Sequence, residues 1–452
     1  MSSLLGARAQ MGSSLAFHII LAALGVGLPL LLCIAEGLSL RTGDKDWMII
    51  TRRWSKAFGI LFAIGAVSGT ILSFELGLLW PTFMKFSGSI IGLPFAFEGF
   101  AFFIEAIFLG LYLYGWDRLS PLVHWLCSIP LVISGTASAW FVVSANSWMN
   151  TPSGFIYKNG VVSGIDPIAA MLNPSTGYET SHMILASFEA TGFGVAALCA
   201  WGILRGRKDT WLRKGLMLSL GVGLVVAPIQ IISGDLNARF VAKYQPTKFA
   251  AMEGIFQTQK GAPITIGGWP DPKTGKTYYA IEIPHALSIL VADNPNAVVQ
   301  GLNAVPVENR PDPRMVHIFF DMMVGSGFAT LAAAFWFFIA WWRNKKRVPE
   351  NSPWLMRALM AAGPLTFFAI ECGWIVTEEG RQPWVIQGFL RTKDAATTAP
   401  GINLTFLVFS MIYVALAFMT VILLRRLDDT NKANQQDNSA SDTSTIPGGQ
   451  PA

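Results

Sequence analysis

The stretch "IGLPFAFEGFAFFIEAIFLGLYLYGWDR", residues 91–118, decides the fold. Its apolar run over 91–115, wound as a helix rising about 1.5 Å per residue, crosses the roughly 30 Å hydrocarbon layer of a bilayer. Two glutamates interrupt it. Glu98 and Glu105 are seven residues apart and share one helix face. An ionisable group in mid-membrane costs on the order of 2.5–3.5 kcal/mol on insertion scales, so each needs a reason to be there.

The rest of the chain repeats the pattern. Further runs of spanning length lie at about 15–40, 56–80, 121–145, 180–203, 213–233, 316–342, 354–377 and 402–424. Of 452 residues, 52% are hydrophobic and only 13% charged, where a soluble protein carries about 25% charged residues. A large soluble helical protein is excluded. The sequence predicts an all-α, polytopic membrane helix bundle with nine transmembrane helices.

Orientation follows from Lys and Arg. Nineteen lie in the loops after spans one, three, five and seven and in the C-terminal tail, against six at the N-terminus and after spans two, four and eight; the 234–315 loop holds the other eight. Positive residues stay on the cytoplasmic side, so the N-terminus is expected outside, the C-terminus inside and the long loop outside. Residues 1–427 form one membrane domain carrying the outer 234–315 loop, and the polar 428–452 tail is expected to be disordered in the cytoplasm. The first run is too long for a cleaved signal segment and is read as a retained span. Cys33, Cys127, Cys199 and Cys372 sit in apolar runs without CxxC spacing, as buried small hydrophobes. The mild excess of positive charge reflects topology and implies no nucleic acid.

Span eight repeats the glutamate device, with Glu371 and Glu378 seven apart and Trp374 between them. Paired carboxylates on one face suit a proton relay or ligation of a buried metal. His18 lies near the start of span one, His182 opens span five and Met323 starts span seven. The topology puts these three, with Glu98 and Glu378, near the outer ends of their spans. A His and a Met on different helices make a six-coordinate low-spin haem site, whereas a single His or carboxylate leaves a position open for a small gas. Small residues nearby, "GVG", "GSG" and "TGFG", would admit a flat macrocycle. His124, His285 and His317 are read as structural or surface residues, with His317 the runner-up ligand.

These residues resemble subunit I of the cytochrome bd-type quinol oxidases, in a short outer-loop variant. The resemblance covers nearly the whole chain. It rests on "GRQPW" (380–384), "EGFAFFIEAIFLGLYLYGWDRLSP" (98–121), "SANSWMNTPSGF" (144–155) and "QPTKFAAMEG" (245–254), in order on nine spans. It implies a terminal respiratory oxidase subunit of a bacterial plasma (inner) membrane, oxidising quinol outside and reducing O2 to water with cytoplasmic protons, without pumping. It also implies a low-spin haem b on His182 and Met323. A high-spin haem b and a haem d (or third haem b) would be held by His18, Glu98 and Glu378, with Trp374 and Arg381 beside the cofactors. Glu98, Glu105, Ser138 and Asn146 match the proton route, and Lys248 and Glu253 match residues of quinol binding and oxidation.

The implied partners are a homologous membrane subunit II and a very small accessory subunit. One position departs: two residues before Met323 the family more often has arginine, and this chain has Asp321, which would repel a haem propionate. The spacing of Lys248 and Glu253 predicts that a helical turn brings both to one site. Two rivals remain at this stage, a haem-b quinol dehydrogenase subunit passing electrons to a partner and a proton-coupled transporter without haem.

Overall fold

The computed structural model describes residues 2–443, with side chains described to 430. Among the described residues, nine helices are long and apolar enough to cross a membrane. In chain order the helices are α1 (Ser3–Thr42), α2 (Lys45–Leu79), α3 (Pro81–Tyr114), α4 (Pro121–Leu126), α5 (Ser128–Asn150), α6 (Pro167–Met171) and α7 (Thr176–Leu204). They continue with α8 (Thr210–Tyr244), α9 (Pro246–Met252), α10 (Ala286–Ala292), α11 (Pro313–Arg343), α12 (Pro353–Arg381), α13 (Thr392–Ala395) and α14 (Ile402–Thr443).

Local chemistry sets several boundaries. The fourth span breaks between α4 and α5 at Cys127; Pro130, in the first turn of α5, cannot donate a hydrogen bond back across that junction. Helix α8 runs to Tyr244, past the expected end of span six, and α11 starts at Pro313 on an Asp312 cap. Only residues 245–312 therefore form the long loop. Helix α14 continues to Thr443, through the first part of the segment expected to be a disordered tail; residues 444–452 lie outside the described residues.

Helix α1 packs on α2, α5, α7 and α14, α7 packs on α8 and α12, α11 on α12, and α3 on α5. The starts of α1, α3, α7 and α11 and the ends of α2, α5, α8 and α12 share one end of the bundle, here the loop end. Glycines bring these helices close. A Cβ on Gly27 would lie 2.1 Å from Thr191 Oγ1, one on Gly192 2.9 Å from the Ser219 carbonyl oxygen, and one on Gly363 2.6 Å from Ala197 Cβ. Gly27 and Gly192, expected to admit a macrocycle, are thus spent on helix contacts, while Gly325 and Gly327 face open space.

The half away from the loop is apolar core: Leu28, Leu31, Leu32, Phe58, Leu109, Leu131, Leu216, Leu355 and Leu359 interdigitate. The loop itself is a folded cap built from α9, α10 and three short antiparallel ribbons, pairing Gln259–Lys260 with Val298–Val299, Ile264–Ile266 with Ile281–Ile283, and Trp269–Asp271 with Lys276–Tyr278. Its own core of Phe249, Ile255, Phe256, Leu287 and Leu302 meets Val316 of α11 and Val376 of α12.

Candidate functional site

His18 faces α2. Its Nδ1 lies 2.9 Å from Ser68 Oγ, and the Ser68 hydroxyl donates to the Gly65 carbonyl at 3.0 Å. With that proton committed, Ser68 accepts the His18 Nδ1–H, leaving Nε2 with the ring's lone pair. A Cβ on the adjacent Gly69 would lie 2.9 Å from His18 Cε1.

His182 is held through its other nitrogen. Gln230 Nε2 donates to His182 Nε2 at 3.2 Å, while His182 Nδ1 and Gln230 Oε1 are buried with no hydrogen-bond partner among the described residues. A Cβ on Gly234 would sit 3.4 Å from the His182 ring, and one on Gly373 3.0 Å from Met323 Sδ. Each of the three ligand candidates therefore rests against a glycine of a neighbouring helix.

The carboxylates divide by depth. Glu98 falls at the midpoint of α3 rather than near its outer end, and accepts from Ser138 Oγ of α5 at 3.3 Å. Glu105 is buried two turns deeper, its Oε1 without a hydrogen-bond partner among the described residues. Glu378, on the last turn of α12, accepts from Asn146 Nδ2 at 2.7 Å and Arg381 Nη2 at 2.5 Å. Asn146 thus sits with Glu378 rather than on the Glu98–Glu105 face. Trp374 packs between α1 and α7 against Ile19, Ala190 and Ile370.

Asn150, at the end of α5, is the hub beside Glu378. Its Oδ1 accepts from Lys248 Nζ at 2.9 Å and Arg381 Nη1 at 3.1 Å, and its Nδ2 donates to both oxygens of Glu179, at 3.0 and 3.1 Å. Lys248 and Arg381 are both buried. Burial pushes the Lys248 ammonium down from its ordinary range, with Glu179 opposing. A cavity of about 210 Å³ opens beside them, lined by Gln245, Lys248, Arg381, Gln382 and Trp384 among others. Gln245 Nε2 and Arg381 Nε, buried, have no partner among the described residues. The lining therefore offers several hydrogen-bond donors to an oxygen-rich ligand.

Glu253 looks elsewhere. It follows α9 and is buried toward α11, where burial first and Asp321 second push its carboxyl up to about 8. Lys248 and Glu253 share α9 and its end but meet different partners, so the expected single site is two adjoining ones. Asp321 accepts the Gly267 N–H at 2.6 Å and lies 3.6 Å from His317 Nε2. Its carboxylate thus has local partners in the Gly267 N–H and His317. His317 is fully buried, with Nδ1 on the Met252 carbonyl (2.7 Å) and Nε2 on the Gly267 carbonyl (2.9 Å), so neither nitrogen is free for iron. His285 is exposed in the loop, as expected, and His124 is a buried structural histidine on Glu36 (2.6 Å).

Whether these residues fit haem can be judged from the donor set. Among the described residues no group of three or more His, Cys, Asp or Glu could hold a bare metal ion. One or two such donors per site, an imidazole, a thioether or a carboxylate, instead suit an iron that brings four ligands in a macrocycle, and the buried Arg381 suits its acidic edge. The residues fit.

The sequence reading missed Asn150, Glu179, Ser68, Gln230 and two further buried carboxylates. Glu75 of α2 accepts from Gln10 Nε2 at 2.9 Å, and Glu189 lies buried in α7. The signal for both carboxylates was present: each is an acid inside an apolar run, and Glu189 is seven residues from His182. Asn150 carries no charge and announces nothing.

A bundle of apolar helices carrying half-buried imidazoles, a thioether and carboxylates between its middle and its loop end offers the donor set of a membrane redox protein. The chain belongs to the cytochrome bd terminal oxidase subunit I family, whose model matches residues 6–431. It is 38% identical to a putative cytochrome bd menaquinol oxidase subunit I of Bacillus subtilis, covering 94% of this chain and 96% of that one. A cytochrome bd ubiquinol oxidase subunit 1 of the same organism is 32% identical, over 97% and 96%. The solved bd oxidase of Geobacillus thermodenitrificans superposes with a TM-score of 0.90 at 38% identity, over 95% of this chain and 99% of that one. The protein is accordingly a subunit of a quinol:oxygen oxidoreductase, a multi-pass protein of the bacterial inner membrane with haem cofactors and a membrane partner subunit.

Proposed function

We propose that this chain oxidises a membrane quinol at its loop end and reduces O2 to water within the same end of the bundle, with that end outside and the C-terminus in the cytoplasm. The observation that carries the reading is the hydrogen-bonded set Lys248–Asn150–Arg381–Glu378 at the loop end, with the buried Glu253 after α9 and with His18, His182 and Met323 each set against a glycine of a neighbouring helix. The Lys and Arg bias of the loops supports the orientation. The relatives' names divide between menaquinol and ubiquinol, so the proposal is a quinol without a chosen ring.

In this reading Lys248 orients the quinol oxygens, its ammonium held by Asn150. Glu253, kept neutral-prone by burial, accepts a quinol proton once ionised and releases it outside. His182 and Met323 hold a low-spin haem b. His18, Glu98 and Glu378 hold a high-spin haem b and a haem d or third haem b, with Trp374 and Arg381 at the cofactor edges. Bound there, the haems supply one-electron transfer and an open coordination position for oxygen. Glu105, Glu98 and Ser138 lie in order along the α3–α5 contact and move protons from the cytoplasmic side, and Asn146 holds Glu378 in place. Protons taken from one face and released at the other separate charge without a pump. A homologous subunit II and a very small accessory subunit complete the assembly.

The test uses the assembled oxidase in liposomes, driven by a short-tail quinol. Oxygen uptake with acidification on the loop side is the expected result. An assembly without visible absorption, or acidification on the opposite side, contradicts the reading.

A further inference from the structure

We infer that His317 and Asp321, one turn apart on α11, form a clasp that fastens loop residues 252–267 and thereby positions Glu253 as the quinol proton acceptor. The inference rests on the reading of Glu253 above and adds the residues that hold it.

Four observations converge. Both nitrogens of the fully buried His317 ring meet carbonyl oxygens, Met252 at 2.7 Å and Gly267 at 2.9 Å. A carbonyl only accepts, so each ring nitrogen meets its carbonyl as a donor. Asp321 supplies the adjacent negative charge at 3.6 Å and accepts the Gly267 N–H at 2.6 Å. Gly267 is thus gripped through both its N–H and its carbonyl.

At the other end of the segment, Thr277 Oγ1 donates to the Gly254 carbonyl at 2.7 Å, and a Cβ on Gly254 would sit 3.3 Å from His317 Nδ1. Gly254 and Gly267 both have positive φ, +64° and +66°, a conformation that glycine adopts at little cost. The two gripped points bracket Glu253, which directly follows Met252. The clasp closes the ring of chain from 252 to 267 onto α11 and keeps water from the Glu253 carboxyl. It also gives Asp321 a task that arginine at that position could not perform, because arginine cannot accept the Gly267 N–H.

The test compares His317→Gln and Asp321→Asn in the assembled, haem-loaded oxidase, with the reduced-minus-oxidised spectrum as the check on folding. Amide hydrogen exchange over residues 253–268 should speed up roughly ten-fold in both variants, the expected effect of losing one charge-assisted hydrogen bond. With a short-tail naphthoquinol and a short-tail benzoquinol as probes, kcat/KM should fall roughly ten-fold. In His317→Gln the rising limb of its pH profile should move to lower pH as water reaches Glu253, a change that simple loss of stability would not produce; in Asp321→Asn the lost charge alone moves it the same way, so the His317 variant decides. Unchanged exchange in both variants overturns the clasp. Faster exchange with unmoved kinetics and pH limb overturns its link to Glu253. Normal quinol oxidation by Glu253→Gln overturns the role of Glu253 itself, and the exchange result is independent of that outcome.

Discussion

The two ends of the bundle handle buried polar groups in opposite ways. At the end away from the loop, Glu36, Tyr112 and His124 form a closed set: Tyr112 donates to Glu36 at 2.5 Å, and the His124 nitrogens reach Glu36 and the Tyr112 carbonyl at 2.6 and 2.9 Å. Around them guanidiniums cover indoles, Arg52 over Trp116 at 5.0 Å and Arg53 over Trp211 at 4.5 Å. At the loop end and in the middle of the bundle, His182 Nδ1, Gln230 Oε1, Arg381 Nε, Gln245 Nε2, Glu75 Oε2 and Glu105 Oε1 are buried without partners among the described residues. A buried polar group left unpaired costs about 1–3 kcal/mol. Apart from the Trp211 indole N–H, buried without a hydrogen-bond partner among the described residues, the far end pairs its polar groups with one another, for stability. The loop end and the middle leave several of theirs unpaired among the described residues, as the proposed ligand sites require.

That contrast can be broken by mutation. The largest effect is expected at Glu105: Glu105→Leu should slow quinol-driven oxygen reduction by about 100-fold or more while leaving the haem spectrum in place. Oxygen uptake and spectra on one preparation decide it, and near-normal turnover would remove Glu105 from the proton route.

The next effect concerns pH. Glu253 sits at about 8, raised by burial, and must be ionised to accept a proton. Its competent fraction therefore rises with pH and saturates above that value, so kcat/KM for quinol should fall up to ten-fold per unit below it. A profile flat from pH 6 to 9 would show that another group takes the proton.

A smaller effect is expected at Ser68, which orients His18 at 2.9 Å. Ser68→Ala should hasten haem loss from the His18 site roughly ten-fold and shift the iron–histidine vibration, with Ser68→Thr restoring both. The smallest is at the far end. Arg52→Gln removes an exposed cation–π contact worth about 0.5–1 kcal/mol and a solvent-exposed ion pair to Asp117 at 3.9 Å that adds little, and should lower thermal stability slightly with spectra and turnover unchanged.

How much of this was legible beforehand follows the same division. The nine spans read directly from hydropathy, because a bilayer demands about 20 apolar residues wherever a helix crosses it. His18, His182, Glu98 and Glu378 stood out for the converse reason, as groups the hydrocarbon should reject, whereas Met323, apolar itself, stood out only as a thioether that could pair with a histidine. Depth was less readable. Glu98 at mid-helix and Glu378 at a helix end looked alike, since loop positions fix only which side a helix starts from. The Asn150 hub was invisible, because its bond to Arg381 joins residues 231 apart and a neutral amide leaves no trace in composition. Lys248 and Glu253 misled by proximity in sequence: α9 ends at Met252, and the turn that follows sends Glu253 toward α11. Asp321 read as an unfavourable substitution until His317 and Gly267 supplied its partners.

The most direct measurement is the reduced-minus-oxidised visible spectrum of the assembled oxidase carrying Met323→Leu. If iron porphyrins are gripped at the loop end by His18, His182, Met323 and the carboxylates, the low-spin haem b band disappears or converts to high-spin while the other two haems keep theirs. A spectrum identical to that of the unaltered protein would mean that Met323 binds no iron, and the arrangement of cofactors argued from it would be wrong.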